Sequence, residues 1–110
     1  MGWWQRQWLK FKERAWPHRR ILVIAGDGLP SSLPSRDLVL LTEDGEPWSV
    51  AMMCPCGCGE RVELPLLREV SPRWSLQVDK LQRPTVIPSV WLQDGCRSHY
   101  VVRSGRVDWV

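Results

Sequence analysis

Three thiols stand within one short stretch, Cys54-Pro-Cys-Gly-Cys58, and a fourth thiol and an imidazole follow at Cys96-Arg-Ser-His99. Thiolates and a neutral imidazole at such spacing are the donors of a tetrahedral zinc site. A disulfide between next-but-one cysteines would close a very tight loop, whereas a metal accepts both sulfurs at tetrahedral angles. Gly57, Gly59 and Gly95 flank the two segments. Glycine at these places lets backbone amides turn toward the sulfurs, so the segments read as a pair of metal knuckles. Five donors, Cys54, Cys56, Cys58, Cys96 and His99, compete for four places on one structural Zn2+. The set favoured by spacing is Cys54 or Cys56 with Cys58, Cys96 and His99, which leaves one cysteine spare.

Other chemistries meet specific obstacles. A Rieske iron–sulfur centre needs a second histidine beside the early cysteines, and none stands there. A RING-type double-zinc domain needs eight ligands. A catalytic zinc keeps three protein ligands and a nearby acid; Glu60 follows the cluster but reads as an exposed strand position. His18, between Pro17 and Arg19, reads as a linker residue. No Ser-His-Asp order and no phosphate-binding glycine loop is recognisable.

The elements that must carry these residues follow from periodicity. Trp4, Trp8, Phe11 and Ala15 recur at helical spacing over residues 3–16, and Pro17 ends that helix. The ordinary expectation is that this aromatic face packs on the domain or on a partner. A membrane-surface helix and single-strand nucleic-acid stacking are the sharper alternatives. Beyond the helix, short apolar or alternating runs read as strands: 21–25 (buried), 37–42, 60–66, 74–78, 85–92, 99–103 and 106–110. Pro88 marks 85–92 as an edge strand or a bulge. Asp44-Gly45 and Ser104-Gly105 read as tight turns. The expected fold is a small mostly antiparallel β domain with a zinc-ribbon-like metal site and one N-terminal helix. Its boundaries would be 1–20 for a basic aromatic helix and 21–110 for the zinc-stapled β domain.

Composition agrees with one modest core. The chain has 110 residues, 44% hydrophobic and 25% charged, with eight Trp and a formal net charge of +3. The charge is uneven: residues 1–20 hold six basic side chains against Glu13, whereas the rest is slightly acidic. Any nucleic-acid partner would therefore engage residues 6–20. The longest apolar run, Ile21 to Ala25, is too short for a transmembrane segment or a signal-peptide core, so a cytoplasmic location is expected.

Four ordered motifs, Cys54-Pro-Cys-Gly-Cys-Gly-Glu60, Pro88-Ser-Val-Trp91, Cys96-Arg-Ser-His-Tyr100 and Gly105-Arg-Val-Asp-Trp109, span much of residues 48–110. At these positions the chain resembles a bacterial domain-of-unknown-function family of small zinc-binding proteins. Some members are encoded beside ubiquitin-like and E1- or E2-like proteins in operons linked to phage defence. The resemblance implies metal binding at Cys54, Cys56, Cys58, Cys96 and His99, and structural roles for Trp91 and Trp109. It also implies ubiquitin-like or E1/E2-like protein partners. The function expected is a non-enzymatic zinc-binding interaction module of such a system, with a nucleic-acid-binding zinc domain as the alternative. An enzyme using a reactive cysteine or an open metal position is the reading least supported by these residues.

Overall fold

The computed structural model describes residues 2–110. One helix, α1 (Trp3–Ala15), precedes eight strands: β1 (Ile21–Ala25), β2 (Leu38–Glu43), β3 (Glu46–Met53), β4 (Arg61–Pro65), β5 (Ser75–Val78), β6 (Pro84–Trp91), β7 (His99–Arg103) and β8 (Arg106–Trp109). The strands form two four-stranded sheets, ordered β1-β2-β3-β4 and β5-β6-β7-β8. Every pairing is antiparallel except β1 with β2. The mostly antiparallel β class with one helix is therefore the observed one.

Alternation along the strands turns one face of each sheet inward. Val50, Met52, Val62 and Leu64 from the first sheet share a single buried cluster with Val86, Val90, Tyr100, Val102 and Val107 from the second. The Tyr100 hydroxyl spans the core to Met52 Sδ at 3.6 Å. The two sheets thus bury each other, as a small chain with one core must. The tight turns form where the dipeptides place them. Asp44-Gly45 and Ser104-Gly105 both have positive φ at both residues, as a two-residue hairpin turn of the I′ kind requires. At Gly105 the conformation is doubly demanded: a Cβ there would lie 2.6 Å from the Arg19 carbonyl oxygen.

One strand departs from expectation, and another takes the second of its two expected forms. In β1 only Ile21 is buried; Leu22, Val23 and Ile24 are exposed. The strand is apolar but stands at the sheet's edge, with β2 as its one neighbour, so there is nothing to cover its remaining side chains. Of the two forms that Pro88 allowed, an edge strand or a bulge, β6 takes the second. It lies between β5 and β7, and the register with β7 shifts between Val86 and Val90. An irregularity of this kind accommodates a residue that cannot donate to the ladder.

The helix ends as its sequence dictates: the Trp16 N–H still reaches the Lys12 carbonyl, but Trp16 itself is extended before Pro17. Of the two places expected for the aromatic face, this domain or a partner, its rings do not take the first and stay exposed. The face turned to the β8 side carries buried Glu13, not the tryptophans. Arg19 grips the Glu13 carboxylate through two hydrogen bonds of 2.8 and 3.1 Å, and the Val107 N–H donates a third at 3.0 Å. Arg106 donates to the carbonyls of Glu13 and Trp16. Burial alone would raise the Glu13 carboxyl, but the hydrogen bonds and charge of Arg19 outweigh it and hold it below its ordinary value. A bonded carboxylate is thus the buried anchor of α1.

Candidate metal centre and the Ser89–His99 pair

Each sheet contributes one loop to the cysteine cluster. Cys54, Cys56 and Cys58 occupy the connection from β3 to β4, in the first sheet. Cys96 occupies the connection from β6 to β7, in the second. In the first loop the Gly57 N–H returns to the Cys54 carbonyl at 3.2 Å, and the Cys54 N–H bonds the Glu60 carbonyl at 2.8 Å. Gly57 takes φ 87°, a turn that side-chain-bearing residues rarely make.

The four sulfurs converge to within 4.8 Å of one another. Cys54 lies 3.5 Å from Cys56 and 3.7 Å from Cys96, and Cys58 lies 3.6 Å from Cys96. Zinc–sulfur bonds of about 2.3 Å at tetrahedral angles require sulfur–sulfur edges of about 3.8 Å. All four cysteines are free, and the separations are far beyond a disulfide bond. The four sulfurs could therefore hold one tetrahedral metal, all three of the early trio being close enough to take part. The Ser98 hydroxyl is 3.1 Å from the Cys96 sulfur and 3.7 Å from that of Cys54. Burial pushes the Cys54 and Cys58 thiols up. Burial acts the same way at Cys96, but hydrogen bonds from the Ser98 side chain and backbone, then from Cys56 and Cys58, bring it down to about 6. An anionic sulfur in a hydrogen-bonded cluster is what a cation would find there.

His99, the fifth residue singled out by spacing, is not among these mutually close donors. It opens β7, opposite Trp91 in the ladder, and strand alternation puts it on the face away from buried Tyr100. Its Nε2 lies 3.0 Å from the hydroxyl oxygen of Ser89. The two-residue gap from Cys96 is thus divided: the loop turns Cys96 toward the cluster, and the strand carries His99 away from it.

Ser89 lies within the irregular stretch of β6, on the same outer face as Trp91. The Trp74 indole N–H donates to its carbonyl at 3.3 Å. The Trp91 ring lies almost parallel to the imidazole, at 7° and with 4.8 Å between centroids. Trp91 is therefore not a core aromatic; it is 60% exposed and covers one side of His99. Trp109 does pack against the core, edge-on to Tyr100. Among the described residues no carboxylate hydrogen-bonds His99, so the arrangement is a pair and not a triad. A serine hydroxyl held by an imidazole nitrogen is a hydroxyl whose proton has an acceptor waiting, the first requirement of a nucleophilic serine.

Sequence reasoning missed Ser89 because it sought a serine, histidine and acid in recognisable order. The signal available was weaker: Pro88-Ser-Val-Trp91 and Ser98-His99-Tyr100 end facing strands of one hairpin, which brings their outer faces together.

Fold and site together define a small two-sheet β protein with a four-cysteine metal-type cluster and, beside it, a hydrogen-bonded serine–histidine pair. Residues 25–110 match the family described as bacterial ubiquitination-like system serine protease (BubE), and the chain belongs to that family. Among curated proteins and solved structures no significant match is found. The expected setting in a ubiquitin-like system agrees with this family. Its description adds a serine protease where the residues alone put a non-enzymatic module first.

Proposed function

We propose that this chain is a serine hydrolase that cleaves a protein substrate of a bacterial ubiquitination-like system, with Ser89 as nucleophile and His99 as general base. The observation that carries the reading is the 3.0 Å contact between Ser89 Oγ and His99 Nε2. Ser89 Oγ attacks the carbonyl carbon of the scissile bond while Nε2 takes the hydroxyl proton. The imidazolium gives that proton to the leaving group as the bond from the acyl carbon to that group breaks, which leaves the acyl group esterified to Ser89 Oγ. Water then attacks the ester, again losing its proton to Nε2, and releases the acid with Ser89 restored. Trp91, parallel to the imidazole, restrains its rotation so that Nε2 stays aimed at the hydroxyl.

The four cysteines hold one structural zinc in this reading, and the supporting fact is the match of their spacings to tetrahedral edges. The metal supplies a crosslink between the loops of two sheets. Ubiquitin-like or E1/E2-like proteins are the natural partners, and reduced thiols fit a cytoplasmic setting.

Nucleic-acid binding through residues 6–20 is not favoured. Arg19 is buried against Glu13 and has no guanidinium to offer a phosphate.

The test is cleavage of a ubiquitin-like precursor from the same system by purified protein, together with labelling by a fluorophosphonate. Ser89→Ala is expected to abolish both and to lower kcat by on the order of 10⁴-fold or more. Full cleavage by folded Ser89→Ala protein would reject the hydrolase and restore the non-enzymatic accessory module.

A further inference from the structure

The surface of α1 carries a feature that neither the cysteines nor the serine–histidine pair uses. With about 100° between successive helical residues, Trp4, Trp8 and Phe11 form one stripe and Leu9 and Glu13 the opposite one. Because Glu13 is the buried anchor, the aromatic stripe lies on the outer side of the helix, with Trp8 bordering a recess beside the cysteine loops and Phe11 one beside Asp108 and Trp109. Trp3, Trp4, Trp8 and Phe11 are 63%, 80%, 56% and 60% exposed. Trp3 packs edge-on against Trp4, and Trp8 stacks on Phe11, so the four rings form a belt of two contacting pairs. These residues lie outside the span that matches the family, so the family's activity does not account for them.

The charges around the belt choose its occupant. Arg6, Lys10, Lys12 and Arg14 are all exposed on α1. Lys10 and Lys12 flank Phe11 on its two sides, each about 100° around the helix. The one acid of the helix, Glu13, is buried and neutralised by Arg19. The outward half of α1 therefore combines indole rings with three flanking cations, Lys10, Lys12 and Arg14, and carries no acid of its own; Arg6 lies on the Glu13 side, and Asp108 of β8 borders Lys10 and Arg14. Indole favours the boundary between acyl chains and headgroups, and cations on both flanks of an apolar stripe reach the anionic headgroups beside it. No helix among the described residues is long and apolar enough to cross a membrane, so the contact would lie in the plane of the surface.

We infer that α1 is a peripheral membrane anchor that lays Trp4, Trp8 and Phe11 into an anionic lipid surface, with Lys10, Lys12 and Arg14 on the headgroups. The β sheets, with the Ser89–His99 pair, are carried at that surface through Glu13, Arg19 and Arg106.

The experiment is partition of the full chain onto vesicles of phosphatidylcholine with phosphatidylglycerol, against pure phosphatidylcholine, followed by sedimentation and by quenching of tryptophan emission with brominated lipid. Strong binding is expected to the anionic vesicles only, weakening as salt rises. The combined change Trp4→Ala, Trp8→Ala, Phe11→Ala should lower the partition coefficient on the order of 100-fold. Lys10→Gln with Arg14→Gln should lower it roughly 30-fold. All five side chains are exposed, so circular dichroism should be unchanged, and the salt series on the unaltered chain tests the claim independently of any variant. Ser89→Ala should bind as the parent does, which separates this inference from the hydrolase reading. It is overturned by equal binding to neutral vesicles, by no binding at low salt, or by tryptophans that lipid bromine does not quench. A dimer, or a purified conjugation protein, that buries the belt and leaves vesicles unbound would overturn it equally.

Discussion

The cysteine cluster and the Ser89–His99 pair are built from neighbouring residues yet follow opposite designs. Cys96 and His99 stand three positions apart, and one joins a closed set of four sulfurs while the other joins an outward-facing pair. The cluster lies on two loops from different sheets, so its geometry exists only when the sheets are packed. The pair lies on adjacent strands of one sheet, and strand pairing alone keeps it together. The cysteines are drawn from two loops, whereas the partly buried Ser89 and His99 stand on one strand face. The same residue types near in sequence therefore say little about sharing a site. The direction of the backbone between them decides it.

That contrast can be broken by removing the metal, where the largest effect is expected. If the cluster joins the sheets through zinc, chelation should forfeit about 10 kcal/mol of metal-coupled folding free energy and abolish the cooperative melt. Cys58→Ser should lose metal, measured by atomic emission, with the same consequence. A cooperative melt retained at zero metal content would show that the core suffices. Conversely, His99→Gln should leave metal content and melting unaltered while fluorophosphonate labelling of Ser89 disappears. Loss of metal from that variant would return His99 to the ligand set.

A smaller effect tests whether α1 is fastened independently of both centres. Glu13→Gln leaves Arg19 buried without its counter-charge and should cost about 3–5 kcal/mol in chemical denaturation. The folded Glu13 carboxyl is held below its ordinary value of 4.5, so its stabilising contribution is complete above 4.5. It is lost as pH falls from there through the lower folded value. The parent chain should lose stability over that acid window, and Glu13→Gln should lose less. An identical acid profile for the two would refute the assignment. Smallest of all is Trp91→Ala. Without the parallel indole the imidazole gains rotational freedom, and kcat should fall several-fold, with Trp91→Phe restoring most of it. Equal kcat for the parent and both variants would leave Trp91 as a bystander.

The cysteine cluster was the most legible part of the site in sequence, because soft donors concentrated around left-handed glycines have few other uses. Most strands and both tight turns were legible for the same local reason: alternation and Asp-Gly or Ser-Gly pairs act over a few residues. Three matters were not. A four-cysteine set could not be told from three cysteines with His99, since spacing along the chain does not reveal that His99 faces the other side of a sheet. Ser89 carried no sign of its partner, because the register shift between Val86 and Val90 and the position of β7 bring the two together. And the aromatic stripe of α1 was expected on this domain or on a partner, with nothing local to say which. Its outward direction follows from Glu13, whose bond to Arg19 is local but whose bond from Val107 forms only after residues far apart in sequence meet. What short-range chemistry can specify (helix, strands, turns and metal-type donors) the sequence determined by itself. Which donors converge, which hydroxyl meets which imidazole, and which way a helix faces were decided by packing, because those outcomes depend on contacts between distant segments.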